Sequence, residues 1–144
     1  MSPFKGPAFA DTLTALHKLC FAEPWSFDNF YKILNLPTTF GFGDEHGFIL
    51  CADLGQDLEI LTLAIHPNYR RKGYASMLLQ QLQQFANEHN KEQIFLEVNA
   101  TNNPAIQLYL KHHFVQTGCR KDYYHENGNT FDALCLAWKK SPTK

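Results

Sequence analysis

One stretch near the middle of the chain limits the possible folds more than any other. An apolar run, Ile60 to Ile65, stops at His66-Pro67 and gives way to a basic glycine loop, Arg70-Arg71-Lys72-Gly73-Tyr74-Ala75. Proline cannot continue a strand ladder, so the run reads as a strand that ends there. After the loop, Ala75, Leu78, Leu79, Leu82, Phe85 and Ala86 recur at three-and-four spacing, with glutamines on the other face. That spacing predicts an amphipathic helix over 75–88. Gln93 to Asn99 then alternates apolar and polar residues, as a strand does. A strand, a helix and a strand in this order form a crossover, so the two strands lie parallel in one sheet.

The flanking segments predict a different pairing. Thr38 to Phe42, Phe48 to Asp53 and Leu58 to Ile65 read as three strands joined by short turns, Gly43 to Gly47 and Leu54 to Asp57, which makes an antiparallel meander. Phe114 to Tyr124 and Thr130 to Trp138 are joined by the hairpin signal Glu126-Asn127-Gly128-Asn129. Two helices precede the sheet. Asp11 or Thr12 caps the first, with Leu13, Leu16 and Cys20 inward. Ser26 caps the second, with Phe27, Phe30, Tyr31 and Leu34 on one face and Pro37 closing it. Pro104 starts a further helix, capped by Asn102 or Asn103 and running to about Lys111. Ser141 to Lys144 reads as a frayed tail. The expected architecture is one α/β (α+β) domain over residues 1–144, a mixed and mostly antiparallel sheet flanked by helices.

Composition excludes several classes of function. A chain of 144 residues with 44% hydrophobic and 19% charged residues can bury a real core. A net charge of −1 supplies no general attraction for nucleic acid or an anionic membrane. No apolar stretch reaches the roughly 18–20 residues of a membrane span, and Met1 to Gly6 lacks a signal-peptide pattern. Cys20, Cys51, Cys119 and Cys135 form no C-x-x-C pair and no zinc spacing, so they are expected to be buried reduced thiols of a cytoplasmic protein. The histidines show no H-E-x-x-H, and no metal is expected.

The loop itself has a chemistry. A glycine loop at a helix start presents backbone N–H groups with no helical partner, and the helix dipole adds positive potential there. Arg70, Arg71 and Lys72 add charge, and the combination suits a pyrophosphate. The frame is neither a P-loop nor a dinucleotide fingerprint, because the lysine precedes the glycine and G-x-G-x-x-G is absent. What stands here is R-x-x-G-x-A, from Arg70, Gly73 and Ala75.

Four segments together carry a family likeness. Ala64 to Ala75 resembles the acyl-CoA signature of the GCN5-related N-acetyltransferases (GNAT), and Leu96 to Tyr109 resembles the second half of that signature. Arg120-Lys121-Asp122-Tyr123-Tyr124 with Asp132-Ala133-Leu134 fits the closing hairpin, and Glu23-Pro24-Trp25-Ser26 also fits. The whole, over roughly residues 15–138, is similar to the bacterial ribosomal-protein alanine N-acetyltransferases. The resemblance implies a GNAT fold whose central strands splay to admit acetyl-CoA as cosubstrate. It implies that backbone groups of Leu63, Ala64 and Ile65 hold the pantetheine arm, that N–H groups from Arg71 to Ser76, with Lys72, Gly73, Tyr74 and Ala75 between them, hold the pyrophosphate, and that Asn102 contacts the cofactor. It also implies Glu97 as general base and Tyr109 as general acid, with a protein N-terminus as acceptor, first of all that of a small-subunit ribosomal protein beginning with alanine.

The chemistry is compatible with those residues. A terminal α-amine has a pKa of about 7.7–8.0 against about 10.4 for lysine, so freeing its lone pair near neutrality is a small task. Glu97 alternates with Ile94, Leu96 and Val98 and shares a face with Phe95 and Asn99. A carboxylate so placed either loses hydration, which favours accepting a proton, or points to solvent, or pairs with a basic residue. Tyr109 either donates its phenolic proton to the departing thiolate or packs in the core. Backbone N–H groups of the strand before the loop would meet the developing oxyanion, which requires that strand to be splayed or bulged. Tyr123 and Tyr124 either shape a peptide groove or are ordinary sheet aromatics. Ser76 and Cys51 show no local sign of a nucleophile with its base.

Three positions depart from the branch it resembles. Asn99 stands where an arginine is usual, Thr62 where an asparagine is frequent, and His113 where a glycine is usual in the turn before Phe114. The first two lie where the acceptor should run; the third requires an unusual backbone conformation. Acetylation of another protein or small-molecule amine, and a catalytically silent acyl-CoA-binding module, stay open as alternatives.

Overall fold

The computed structural model describes residues 3–140. A 3₁₀ turn (Pro7–Phe9) leads into α1 (Ala10–Cys20) and α2 (Phe27–Leu34); β1 (Thr39–Asp44), β2 (Gly47–Asp53) and β3 (Asp57–Ile65) follow. Then come α3 (Tyr74–Glu88), β4 (Gln93–Asn99), α4 (Asn103–Lys111), β5 (Val115–Glu126) and β6 (Asn129–Lys139). The six strands form one sheet in the order β1-β2-β3-β4-β6-β5. Every neighbouring pair is antiparallel except β3 and β4, which the α3 crossover makes parallel.

Both faces of the sheet are covered. Leu78, Leu79 and Leu82 of α3 pack with Phe40, Ile49, Leu58, Ile60, Ile94 and Leu96 on one face. Leu13 and Leu16 of α1 and Phe30 and Leu34 of α2 pack with Phe48, Leu50 and Ala64 on the other. Phe40 to Phe42 and Phe48 to Cys51 are therefore buried on both sides without alternation.

The expected elements are present, with corrections at their edges. Neither Asp11 nor Thr12 caps α1, which begins at Ala10 straight from the 3₁₀ turn and has no side-chain cap. Ser26 does cap α2, accepting from Asn29 N–H at 3.1 Å. Of the four expected inward, Phe30 and Leu34 are buried; Phe27 and Tyr31 stay exposed, their rings 5.8 Å apart. Asn102, not Asn103, caps α4. The hairpin closes on Asn127 and Gly128, both at positive φ (51° and 79°), the two-residue turn that Asn-Gly favours. The cysteines depart from expectation: Cys51 is buried, Cys20 and Cys135 are half-buried and Cys119 is exposed, all as free thiols. Among the described residues no helix is long and apolar enough to cross a membrane, and no group of side chains could hold a metal. Ser141 to Lys144 lie outside the described residues.

Two irregularities shape the centre of the sheet. β3 and β4 pair only from Asp57 to Glu59 against Gln93 to Phe95, and diverge beyond. In β3, Leu61 is an extra residue between Ile60, opposite Cys51, and Thr62, opposite Leu50. This bulge puts Leu61 and Thr62 toward the α1–α2 side, against the α1–α2 core and His17.

Candidate active site

The divergence of β3 from β4 opens a cleft of about 720 Å³ through the middle of the sheet. Glu59 to Leu63 of β3 form one wall and Leu96 to Asn99 of β4 the other. Ala105 and Tyr109 of α4, with its cap Asn102, close it, and His17 and Cys20 of α1, Phe21 to Glu23 and Trp25 of the loop after it, and Arg120 and Tyr123 to Glu126 of β5 border it. Ala64, Ile65 and the basic loop do not line this cleft; they continue β3 past its end.

Glu97 and Tyr109 reach the cleft from opposite faces of the sheet. Ile94, Leu96 and Val98 are buried in the same cluster as Tyr109, while Glu97 alternates to the other face with Phe95 and Asn99. Tyr109 is 5% exposed, and among the described residues its hydroxyl has no hydrogen-bond partner. Burial pushes its phenol well above the usual tyrosine range, with smaller contributions from Cys51 and Tyr124. It therefore holds its proton at any working pH.

Glu97 is paired, one of the arrangements its sequence setting left open. Arg120 Nη1 donates to Glu97 Oε1 at 2.8 Å, and the guanidinium stacks 4.0 Å from the Tyr123 ring. Arg120 reaches Glu97 because β5 slips register between Arg120 and Tyr124, with Asp122 at φ 51°. Tyr124 hydroxyl donates to the Glu97 carbonyl at 3.2 Å, so both tyrosines of the pair line the cleft. A second carboxylate shares this site. Burial, then the charge of Glu97, pushes the Glu59 carboxyl above the usual range. Sequence reasoning missed Glu59 and Arg120. Alternation within β3 pointed to the first; nothing local pointed to the second, 23 positions from its partner.

The loop has the form of an anion cradle. Arg71 and Gly73 are both left-handed (φ 63° and 76°), and no side chain caps α3. The first helical bond runs from Met77 N–H to Gly73 carbonyl, so the N–H groups of Tyr74, Ala75 and Ser76 have no partner within the helix. A Cβ built on Gly73 would meet nothing within 4 Å. The cations are less free than their number suggests. Arg70 Nε donates to the Ile65 carbonyl at 3.1 Å, and Lys72 lies 5.5 Å from the Tyr69 ring. Ser76 Oγ bonds His112 Nε2 at 2.9 Å, a partner 36 positions away that local sequence did not reveal, and neither residue lines the cleft. Cys51 is fully buried, and burial raises its thiol far from any nucleophilic range.

Residues 10–114 match the acetyltransferase (GNAT) family. The chain belongs to that family. It is similar to a Bacillus subtilis protein provisionally named a ribosomal protein bS18-alanine N-acetyltransferase, at 32% identity over 81% of this chain and 80% of the relative. Among solved structures, the ribosomal-protein-S18-alanine N-acetyltransferase of Escherichia coli superposes with a TM-score of 0.88 at 21% identity, covering 99% of this chain and 96% of that one. NAA60 of Arabidopsis thaliana bound to acetyl-CoA superposes at 0.80 with 21% identity, over 96% and 98%. The fold is the GNAT fold, and the protein is an acetyltransferase whose cosubstrate is acetyl-CoA.

The acetyltransferase has groups that fit this cosubstrate. The unpaired N–H groups of α3 and the open space before Gly73 suit a pyrophosphate, and β3 leads from that loop into the cleft. When bound, acetyl-CoA supplies an activated acyl group and a thiol leaving group. Asn102 lines the cleft, and its Oδ1 accepts the Ala105 N–H at 3.3 Å, so its amide nitrogen is the group it has to offer a ligand.

Proposed function

We propose that the protein is a cytoplasmic acetyltransferase for the N-terminal α-amine of a protein, with a small-subunit ribosomal protein beginning with alanine as the leading acceptor. The observation that carries this reading is the placement of Glu97 and Tyr109 on opposite sides of one cleft through the sheet. The names of the relatives support the choice of acceptor.

The chain's residues divide the work. Glu97, held in place by Arg120, takes the proton of the amine directly or through a water. Tyr109, kept protonated by burial, gives a proton to the sulfur on the far side. Backbone N–H groups at the Leu61 bulge meet the charge that develops on the acyl oxygen. Leu63, Ala64 and Ile65 align the cosubstrate, and Arg71 to Ser76 hold its phosphates. The mouth carries Glu23, Glu59, Glu97 and Glu126 against Arg120, a balance that attracts an ammonium. Asn127 N–H reaches Glu23 Oε1 at 3.4 Å, bridging hairpin to loop beside the cleft, an arrangement that suits an extended chain end.

Mass spectrometry of a panel of N-terminal peptides, lysine peptides and free amines after incubation with acetyl-CoA tests this. Acetylation of alanine-initiated peptides is expected. Preference for small amines would move the function to a metabolite acetyltransferase, and binding of CoA without turnover would make the chain a silent module.

A further inference from the structure

His17 and Thr62 stand 45 positions apart and form a device that the mechanism above does not use. His17 of α1 is 2% exposed. Its Nδ1 accepts the Trp25 backbone N–H at 3.0 Å, so the ring proton of the neutral imidazole sits on Nε2. Nε2 lies 3.1 Å from Thr62 Oγ1 and therefore donates to it. The ring cannot easily turn away. It stacks on Phe21 at 4.0 Å, with Trp25 at 5.2 Å and Phe30 at 5.3 Å.

The consequence falls on Thr62. One lone pair of its hydroxyl is taken by His17, and among the described residues the side chain has no other bond. Its own hydrogen is left to find an acceptor. Thr62 lines the cleft immediately after the Leu61 bulge, on the face that carries Glu59 and Glu97. The second lone pair can accept an N–H from any ammonium and so does not discriminate, but the O–H proton has nothing to offer an ammonium, which is itself only a donor. It suits a carbonyl oxygen close to the amine. An α-amino-acyl group has such a carbonyl one carbon away; a lysine ε-amine, a polyamine or an alkylamine does not.

We infer that Thr62, oriented by His17, donates to the first carbonyl of the acceptor and selects α-amino-acyl amines over amines without a neighbouring carbonyl. This rests on the α-amine reading given above. Thr62 is then a specificity-determining residue and His17 a positioning residue.

Steady-state kinetics on two matched acceptors test it: an alanine-initiated peptide, and the same peptide with its first carbonyl reduced to a methylene. With Thr62→Val the KM for the peptide should rise about tenfold, the size of one hydrogen bond, while the KM for the reduced peptide and the affinity for CoA stay unchanged. Thr62→Ser keeps the hydroxyl and should keep the wild-type discrimination, which separates the loss of a donor from any loss of packing. An equal loss on both acceptors, or a loss confined to kcat, would overturn the inference while leaving α-amine acetylation standing. A wild type that acetylates alkylamines but neither peptide would overturn both.

Discussion

Arg120 and Glu97 are joined by a 2.8 Å hydrogen-bonded ion pair at the edge of the cleft. The arginine is half exposed (54%) and the carboxylate mostly covered (25%), so the pair is screened by water from one side only. Its use is less stability than position: the guanidinium fixes the carboxylate at the edge of the cleft where the amine arrives. Arg120→Gln should lower kcat/KM several-fold at neutral pH in the wild-type background and add little to the loss in Glu97→Gln, as a double-mutant cycle on kcat/KM reads it. Additive losses would assign Arg120 to acceptor binding instead.

Gly73 tests the cradle. Its φ of 76° belongs to the left-handed region, where a β-branched residue is strained, and the space before its Cα is open. Gly73→Val should weaken CoA binding by about tenfold or more, on the order of 1.4 kcal/mol. The substitution both disturbs the loop and occupies the approach to the N–H groups. Calorimetric titration with CoA measures it, and an unchanged affinity would remove the loop from the phosphate site.

His113 holds a left-handed conformation (φ 72°) just past the end of α4, where glycine is the usual residue. His113→Gly should relieve about 1 kcal/mol of backbone strain, a rise of roughly 2–4 °C in Tm by thermal unfolding. Its side chain is exposed, so little packing is lost.

Much of this was legible before the fold. Pro37, Pro67 and Pro104 marked the element boundaries, because each removes a donor and fixes φ. The alternation of β4 placed Glu97 opposite Ile94, Leu96 and Val98, and the turn before Phe114 announced the strain at His113. What stayed hidden depends on pairing between distant strands. The Leu61 bulge arises only against Leu50 and Cys51 of β2, and the cleft exists only because β3 leaves β4 after Glu59. Arg120, His17 and His112 meet their partners through tertiary contacts that no local pattern encodes. The cysteines misled because an apolar neighbourhood in sequence does not ensure burial on an edge strand such as β5.

His17 predicts a pH dependence of stability. Burial lowers its pKa from 6.5 to about 4. Between those values the unfolded chain binds more protons than the folded one, so stability falls as pH drops from about 6.5 toward 4. The full contribution is of order 3 kcal/mol at 1.36 kcal/mol per unit. Urea unfolding at several pH values should show this slope, and His17→Gln should flatten it even if the variant is less stable throughout.

Tyr109 and Glu97 make the sharpest prediction, because the two act on different protons. Glu97→Gln should cut turnover on the order of 10²-fold at neutral pH and recover in part at high pH, where more of the amine is already neutral. Tyr109→Phe removes the donor to the leaving sulfur while keeping the ring that packs near Phe114, 5.5 Å away between centroids. Its loss should be of similar size, but raising pH should not rescue it, since a thiolate still departs without a proton. The distinction survives a change of acyl carrier. A carrier whose thiol is a better leaving group should restore the Tyr109→Phe variant and leave Glu97→Gln impaired. Parallel responses of the two variants to pH and to leaving group would mean that both residues serve binding, and the division of labour across the cleft would fall.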